Sequence, residues 1–429
     1  MYRPVEIVEV WIWGQRVGAV AKDPKLDHYA FEYDPDFVPS GIELALLTMP
    51  LAKADQPFVF TDLPERTYYR LPALLADALP DDFGNALINA WMAKEGVALQ
   101  AITPLDRLAY MGKRGFGALE FKPVRGPVTA SSTAIVLAEL VESARLVLSG
   151  ELTSDRGAHA ALMQLIQVGT SAGGARAKAA IAWNPATNEI RAGQFNVADG
   201  FEHWLLKFDG MGAEAGLGPS QDFGRVEYAY HLMARAAGIR MSDCRLLEEH
   251  GRAHFMTRRF DRDGNVKHHV QTLCAMAHLD YRQKATHDVS QLFQAMVSLG
   301  LGYEALEETF RRIAFNVMAA NCDDHSKNIS FILRQRARWE LAPAYDLTHA
   351  HNPQGEWTHQ HLMAVNGKFS DVSRDDLLRV ADRFNLGTAP QVLRQVGLAI
   401  SAWPEWAKQA KLPPKTAQQI RLDQRVLAE

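Results

Sequence analysis

The sequence predicts an α+β protein, on the basis of three patterns in its 429 residues. The first part of the chain carries short segments rich in β-branched and aromatic residues, which are separated by turn signals. From Leu273 onward, apolar residues recur mostly at helical spacing. A stretch rich in Pro, Gly, Ser and Thr at 123–132 is the best candidate for a linker. We therefore expect a small N-terminal β-rich region and a mainly helical C-terminal region.

Composition excludes several classes of protein. The chain is 47% hydrophobic and 22% charged, and its formal net charge of −4 gives no overall basic character for binding nucleic acid or membranes. Its three cysteines, Cys244, Cys274 and Cys322, form no C-x-x-C pair, which disfavours a zinc ribbon and indicates reduced thiols. The N-terminus lacks a signal-peptide pattern, and no apolar run is long enough for a membrane span. We expect a cytoplasmic protein with no membrane partner.

Turn signals predict a hairpin near the N-terminus. Val5–Ile12 and Arg16–Ala21 have strand composition and are connected by Gly14-Gln15. Tyr29–Tyr33 has the composition of a further strand. These segments predict a small β-unit.

A pair of helices is expected to pack under this hairpin. In LPALLADALPDDFG, which spans 71–84, leucines and alanines recur at helical spacing until Pro80. Asp81 or Asp82 can then cap a second helix over Asn85–Lys94.

Helices and strands alternate through the middle of the chain. The glycines and serine of VGTSAGGARAK predict a loop that opens into an apolar run. The predicted elements are a helix over Thr133–Leu148, a strand within Gly200–Asp209, a helix over Gln221–Gly238, and strands over Arg245–Asp261 and Val266–Gln271 that the Asp263-Gly264 turn connects.

The segment NCDDHSKN, at 321–328, is a polar loop between two buried segments. The residues before it, Leu306 to Met318, have the spacing of an amphipathic helix that ends near Asn321. After it, ISFIL predicts a buried strand, and ELAPAYDL predicts a second strand that ends at Asp346. The local order is therefore helix, polar loop, strand, turn, strand and aspartate.

Phosphoryl transfer from ATP requires such an arrangement. One aspartate takes the proton of the attacking hydroxyl or orients it, an amide oxygen five residues later holds a metal ion, and an aspartate after the next hairpin holds metal as well. Asp323, Asn328 and Asp346 match this order, and magnesium prefers such oxygen ligands. His325 and Lys327 would lie beside the phosphates.

A kinase also needs a lysine on a strand and a loop of small residues over the phosphates. Lys207 stands among apolar residues in HWLLKFD, where burial predicts an anionic partner. Gly169, Gly173 and Gly174 have backbone amides that can approach an anion, although the loop is not a Walker motif.

Two other interpretations of the polar loop remain open. Asp323, Asp324 and His325 are metal-ligand residue types, so the loop is also compatible with a metal hydrolase. Adjacent residues of an extended loop point in different directions, which makes a shared coordination shell awkward. The loop is also compatible with a solvated tip that carries no chemistry.

Taken together, these segments resemble the HipA family of serine/threonine kinase toxins over nearly the whole chain. LPALLADALPDDFG resembles the signature of the family's N-terminal subdomain, and SAGGARAK resembles its S-x-x-G-A-x-x-K loop. WLLKF resembles the strand with the ATP lysine, and RRFDR resembles the hinge. NCDDHSKN resembles the D-x-H-x-K-N catalytic loop, and PAYDL resembles the metal-binding Y-D-[LI] motif.

The resemblance implies a role for each matched residue. Asp323 would be the catalytic base, and Asn328 and Asp346 would bind Mg²⁺. Family members phosphorylate the serine of the phosphate loop, which is Ser171 here, with Thr170 as a neighbouring alternative. The expected ATP contacts are Gly173, Gly174, Ala175, Arg176, Ala177, Lys178, Lys207, Arg258, Arg259, Phe260, His325, Ser326, Lys327, Asn328, Tyr345 and Asp346.

The resemblance also implies a fold and partners. The fold would be two-lobed and kinase-like, of the phosphatidylinositol-kinase type, with an N-terminal subdomain at 1–125, an N-lobe at 126–262 and a helical C-lobe at 263–429. The implied partners are a helix-turn-helix antitoxin, DNA bound mainly through that antitoxin, and a protein substrate such as an aminoacyl-tRNA synthetase. The alternative is a catalytically weak kinase-fold module that recruits an antitoxin and DNA.

Overall fold

The structure is a computed structural model that describes residues 2–126, 135–148, 163, 165, 177–209 and 222–427. Most of the candidate linker and the small-residue loop up to Arg176 therefore lie outside the described residues. The chain divides into two units. The first comprises Met1–Gln221, Leu247–Gln271 and Leu333–Arg338, and the second comprises Asp222–Leu246, Thr272–Ile332 and Trp339–Glu429.

The strands of the described residues are mostly short. They are β1 (Ile7–Ile12), β2 (Gln15–Lys22), β3 (Tyr29–Tyr33), β4 (Leu119–Lys122), β5 (Lys178–Trp183), β6 (Ile190–Ala192), β7 (Glu202–Lys207), β8 (Cys244–Glu249), β9 (Arg252–Arg258), β10 (Arg262–Asp263), β11 (Val266–Lys267), β12 (His269–Thr272), β13 (His287–Asp288), β14 (Ser330–Leu333), β15 (Trp339–Leu341) and β16 (Met363–Ala364).

Longer helices occur mainly after residue 222. The α-helices are α1 (Glu65–Tyr68), α2 (Ala73–Ala76), α3 (Asp82–Lys94), α4 (Pro104–Met111), α5 (Leu137–Leu148), α6 (Phe223–Ala236), α7 (Leu273–Met276), α8 (Val289–Ser298), α9 (Tyr303–Ala319), α10 (Arg374–Arg383), α11 (Ala389–Ser401), α12 (Trp403–Gln409) and α13 (Pro414–Asp423). Short 3₁₀ helices include Ser326–Asn328 in the polar loop.

The N-terminal β-unit is an antiparallel sheet in the order β3-β2-β1-β4. Burial alternates along β1, where Val8, Val10 and Ile12 are fully buried, because successive side chains of a strand point to opposite faces. The predicted hairpin is confirmed, and its turn at Trp13-Gly14 has positive φ at both residues, as a two-residue hairpin turn requires.

A second sheet carries the strand with Lys207. Its order is β6-β5-β7-β9-β8, and β5 and β7 pair antiparallel at its centre. Every residue of β5 is buried, which explains its run of alanines and isoleucine. The predicted long strand over Arg245–Asp261 is split into β8 and β9, because the chain turns at His250-Gly251 with positive φ at both residues.

The second unit is mostly helical, as the sequence predicted. Tyr230 of α6 is fully buried, with its ring centroid 6.1 Å from that of Phe315 of α9 and 5.6 Å from that of Trp403 of α12. These edge-to-face contacts join three helices around one aromatic side chain. Helix α9 supplies further buried residues, including Phe310, so its predicted amphipathic pattern is confirmed.

Two elements differ from expectation near prolines. Only Ala73–Ala76 of the first predicted helix is helical, since Pro72 precedes it and Pro80 ends the segment. The strand predicted to reach Asp346 stops at Leu341, because Pro343 lacks the N–H that a continuing ladder needs. Asp346 itself takes the left-handed conformation, with φ of 53°.

Two further findings concern the cysteines and the helices. Cys244, Cys274 and Cys322 are all buried and form no disulfide bond. Among the described residues, no helix has both the length and the apolar character that a membrane crossing requires.

Asp106 is a buried carboxylate that satisfies two backbone N–H groups of the N-terminal region. Its side chain accepts from Val5 N at 2.8 Å and from Thr103 N at 2.9 Å.

We expect Asp106→Ala to lower the free energy of unfolding by about 2–4 kcal/mol, because it removes a helix cap and leaves buried donors unpaired. Urea denaturation would measure this. Glu32→Ala, on the exposed face of β3, is the control, and equal stability of the two variants would contradict the prediction.

Candidate active site

The C-terminal end of α9 fixes the start of the polar loop. Tyr230 Oη donates to the carbonyl of Ala319 at 2.5 Å, and Ala320 adopts the left-handed conformation that ends the helix. The next residue, Asn321, bonds back to Asn316 through both its backbone N–H, at 3.0 Å, and its side chain, at 2.9 Å. The chain therefore leaves the helix in one defined direction.

The segment that follows Asp346 supports the loop from another side. Ala350 N donates to Ala320 O at 3.1 Å, and Ala350 O accepts from Cys322 N at 3.0 Å. Further along the loop, Ser326 Oγ donates to Leu279 O at 2.5 Å. Asn321 is 2% exposed and Ser326 is 1% exposed. The interpretation of this loop as a solvated tip is therefore wrong.

The C-terminal end of α13 holds the same segment in place. The carboxylate of Asp423 lies 2.8 Å from His349 Nε2 and 3.3 Å from His351 Nδ1. Burial lowers the pKa of His349, and the Asp423 carboxylate opposes this shift. Two residues on, Arg425 N donates to Met318 O at 2.9 Å in the last turn of α9. Residues 423–425 thus support both helix α9 and the segment that follows Asp346.

Asp323, Asn328 and Asp346 line one pocket of the second unit, together with Tyr345. The Asp323 side chain is 46% exposed, so its carboxylate is open to solvent and to a substrate. The polar loop and the end of the β14–β15 hairpin both reach this pocket. The structure thus brings together the three side chains that the sequence singled out from separate segments.

The side-chain amide of Asn328 has a defined orientation. Its Nδ2 donates to the carbonyl of Asp323 at 2.8 Å, and its backbone N–H donates to His325 O at 2.9 Å. This arrangement keeps Asn328 Oδ1, a hard oxygen donor, on the opposite side of the amide from the Asp323 carbonyl.

Tyr345 connects the hairpin to the polar loop. Its hydroxyl donates to Lys327 O at 2.8 Å and lies 2.6 Å from Ser330 Oγ. Because Asp346 is the next residue, this anchor places the Asp346 backbone beside the loop that carries Asp323. The positive φ of Asp346 turns the chain directly after the Tyr345 anchor.

Tyr281 is a site residue that the sequence analysis missed. Its ring centroid lies 5.2 Å from that of His325, and the Lys327 ammonium lies 5.3 Å from the same tyrosine ring. His325 Nε2 lies 3.7 Å from a carboxylate oxygen of Asp323. Tyr281 thus packs against both basic side chains of the loop. No local pattern marks this tyrosine, which lies more than 40 residues before Asp323 in the sequence.

The carboxylate of Asp324 has partners within the protein, whereas the carboxylate of Asp323 is open to solvent. Its carboxylate lies 2.8 Å from His361 Nδ1 and accepts from Leu362 N at 2.8 Å. It is therefore directed away from any coordination shell shared with Asp323. Within the residues that the structure describes, no cluster of His, Cys, Asp and Glu side chains is arranged to hold a metal ion. The bonds of Asp324 to His361 and Leu362 oppose the metal-hydrolase interpretation.

The donor set of the pocket fits magnesium bound with a nucleotide. Asn328 Oδ1 and the Asp346 carboxylate are hard oxygen donors of residues that line the same pocket. Magnesium takes few ligands from protein and completes its shell with water and phosphate oxygens, so two such residues suffice. These two residues would hold the ion.

The predicted nucleotide residues of the first unit lie in the second sheet and its hinge. Lys207 ends β7, with its ammonium 5.7 Å from the ring centroid of Phe255. Phe260 packs edge-to-face on Phe116 at 5.4 Å. Ala177 and Lys178 are buried at the start of β5, whereas Thr170, Ser171, Gly173, Gly174, Ala175 and Arg176 lie outside the described residues.

The two hinge arginines differ in environment. Arg258 is half-exposed and lies 3.6 Å from Glu202. Arg259 is buried and donates twice to Asp261, at 2.9 and 2.6 Å. Burial alone would raise the pKa of Asp261, but Arg259 and the neighbouring Arg262 hold it below its usual value. The Arg259 guanidinium is thus engaged within the protein, and it also lies 5.1 Å from the centroid of the Phe116 ring.

Asp324 anchors the loop, and its removal tests this anchor. We expect Asp324→Ala to raise the hydrogen-exchange rate of the Leu362 amide by about tenfold, because a charge-assisted hydrogen bond is lost. Hydrogen exchange followed by mass spectrometry of the 356–366 peptide would measure this. Asp371→Ala, at an exposed position, is the control. Equal exchange in the two variants would contradict the assigned anchor.

Comparison with known proteins gives matches along most of the chain. Residues 8–122 match the family model of the HipA N-terminal domain, and residues 170–420 match the HipA-like C-terminal domain. A Sinorhizobium fredii protein named "Putative kinase Y4dM" is 27% identical over 189 residues, or 39% of this chain. The chain spans 45% of the length of that curated relative.

A solved structure has the same fold. It is HipA from Shewanella oneidensis MR-1, in a toxin–antitoxin complex with HipB and operator DNA. The TM-score is 0.68 at 15% identity, and the match covers 97% of this chain and 95% of that chain.

Proposed function

The chain belongs to the HipA family, and we propose that it is an ATP- and Mg²⁺-dependent serine/threonine protein kinase that acts as the toxin of a toxin–antitoxin pair. The observation that carries this proposal is the convergence of Asp323, Asn328 and Asp346 on one pocket. An open carboxylate and two hard oxygen donors are the groups that phosphoryl transfer requires.

Each group has a distinct task in the proposed reaction. The hydroxyl oxygen of a target serine or threonine attacks the γ-phosphorus of ATP, and the bond from that phosphorus to the bridging oxygen of ADP breaks. Asp323 orients the hydroxyl and accepts its proton. Asn328 and Asp346 would hold Mg²⁺, which would supply charge neutralisation at the phosphates. Lys327 and His325 supply donors beside the phosphates.

Further residues complete the set of proposed nucleotide contacts. Lys207 would pair with ATP phosphates, and the hinge residues Arg258, Arg259 and Phe260 would line the adenine. Glycines 173 and 174 would offer backbone amides to the phosphates. We propose a kinase-like fold of the phosphatidylinositol-kinase type, supported by the element order of helix, catalytic loop, hairpin and metal aspartate.

The proposed partners follow from family membership. The Shewanella HipA forms a complex with HipB and operator DNA. We propose a helix-turn-helix antitoxin as partner here, with DNA bound mainly through it, since the net charge of −4 gives this chain no general attraction to DNA. The target would be a protein such as an aminoacyl-tRNA synthetase. Three buried cysteines without disulfide bonds support a reducing, cytoplasmic location.

A catalytically weak binding module is the alternative. The function of such a module would not require the catalytic base, the metal ligands or the strand lysine. All of these residue types are present, and three of them share one pocket. This completeness favours catalysis.

Asp323→Asn tests the catalytic base. We expect phosphate transfer from labelled ATP to fall by about 10² or more, because the amide cannot accept the hydroxyl proton. Nucleotide affinity should change little. Asp371→Asn removes a carboxylate at an exposed position and should retain full transfer. Equal incorporation by wild type and Asp323→Asn would remove Asp323 from its assigned role.

Asp346→Ala tests the metal site. We expect calorimetry at saturating Mg²⁺ to show ATP affinity reduced by about tenfold or more, since a metal ligand is lost. Asp382→Ala, on the exposed face of α10, is the control. Undiminished affinity of Asp346→Ala would contradict the assignment.

Ser171→Ala tests self-modification. We expect this variant to lose incorporation of phosphate into itself while it retains transfer to a protein substrate, and Thr170→Ala should behave as wild type. Phosphate would add about −1.5 to −2 charges near the ATP phosphates, so the modified protein should bind ATP more weakly. A phosphopeptide map with label only at other positions would contradict this prediction.

A further inference from the structure

The loop at 112–118, which connects α4 to β4, packs on the hinge through the ring of Phe116. This ring meets that of Phe260 edge-to-face, with 5.4 Å between the two centroids. The guanidinium of Arg259 lies 5.1 Å from the centroid of the same Phe116 ring. One aromatic side chain of the loop therefore contacts two successive residues of the hinge.

The residue after Phe116 fixes the loop to the same stretch of backbone. Gly117 N donates to Asp261 Oδ2 at 2.8 Å, and the Asp261 carboxylate is fully buried. Gly117 has a positive φ of 80°, and a Cβ at this position would lie 3.2 Å from Val270 N. Glycine therefore allows both the backbone conformation and the close approach to β12. The loop is thus held against Asp261 and against Val270.

These contacts restrain a side chain that the proposed kinase function assigns to the adenine. Phe260 follows Arg259 and precedes Asp261, which are both buried, whereas Phe260 itself is half-buried. Its ring thus has surface left for a flat ligand. Because Phe116 restricts the ring before any ligand arrives, less conformational entropy is lost when a base packs on it.

We propose that Phe116 is a positioning residue of the adenine site, which holds the Phe260 ring in the place where it meets the base. This inference rests on the proposed kinase function and extends it to the N-terminal part of the chain, because Phe116 lies within the 8–122 range that matches the HipA N-terminal domain. The proposed phosphate contacts belong to other residues, so the effect of Phe116 is confined to the base.

Three ligands separate an effect on the base from general damage. They are ATP, adenosine and inorganic tripolyphosphate, each with Mg²⁺, and their affinities for the full chain are measured by calorimetry, with the weaker ligands titrated in competition with ATP. The variant is Phe116→Leu, which keeps an apolar side chain and removes the aromatic ring. Phe58→Leu is the matched control, because it removes another edge-to-face pair of the N-terminal region, that with Tyr33 at 5.8 Å.

The proposal predicts a loss that depends on the base. Phe116→Leu should bind ATP and adenosine about fivefold more weakly, and tripolyphosphate as tightly as wild type, because an aromatic pair of this kind is worth about that factor. Phe116→Tyr keeps the ring and should retain both affinities, and Phe58→Leu should bind all three ligands as wild type. Undiminished adenosine affinity in Phe116→Leu would overturn the proposal. An equal loss of tripolyphosphate affinity would overturn it as well.

A Phe260→Leu background tests whether Phe116 acts through Phe260. Phe260→Leu alone should weaken adenosine binding, and Phe116→Leu should add no further loss to it, since the ring that Phe116 positions is already absent. A further fivefold loss in the double variant would show that Phe116 acts by another route, and the proposal would be wrong. Phe260→Leu with wild-type adenosine affinity would also refute it.

The wild type distinguishes failure of this proposal from failure of the kinase function. A wild-type chain that binds no ATP refutes the kinase function, and the positioning role with it. A wild type that binds ATP, beside a Phe116→Leu variant with unchanged adenosine affinity, refutes the positioning role alone. If Phe116→Leu does not fold, Phe116→Met removes the ring in the same way and takes its place in each measurement.

Discussion

The backbone junction at the C-terminal end of α9 is the constraint on which the candidate site depends. A helix end leaves carbonyl groups without helical partners, and here specific partners satisfy two of them: the buried Tyr230 hydroxyl at Ala319 and the Arg425 amide at Met318. Ala350 then bonds to both Ala320 and Cys322. Because each of these hydrogen bonds has a specific partner, the chain leaves the helix in one defined direction. Asp323 and Asn328 owe their placement to this junction.

The polar side chains of the loop differ in their partners. Asp324 and Ser326 bond to His361, Leu362 and Leu279, so they hold the loop in place. The carboxylate of Asp323, beside Asp324, is open to solvent. Two adjacent aspartates thus have different environments, and the proposed base is the one that the fold leaves open.

Local patterns in the sequence were sufficient for much of this description. The N-terminal hairpin, the amphipathic helix α9, and the set of Asp323, Asn328 and Asp346 all follow from spacing over a few residues or from family motifs. The sequence did not predict which residues these side chains contact, because contacts such as Asp324 with His361 or Lys178 with Asp81 join positions far apart in the chain. Two observed strands are shorter than composition predicted, because Pro343 prevents one from continuing and the His250-Gly251 turn interrupts the other. Residue propensity predicts which type of element a segment forms, whereas tertiary contacts determine where that element begins and ends.

The attachment of residues 423–425 to α9 has a consequence for the order of synthesis. A ribosome makes Asp323 well before it makes Asp423 and Arg425, so the polar loop emerges without the bonds that these residues later supply. A nascent chain interrupted ahead of α13 would carry Asp323, Asn328 and Asp346 and lack the C-terminal support of helix α9. Completion of the pocket is thereby coupled to translation past Arg425.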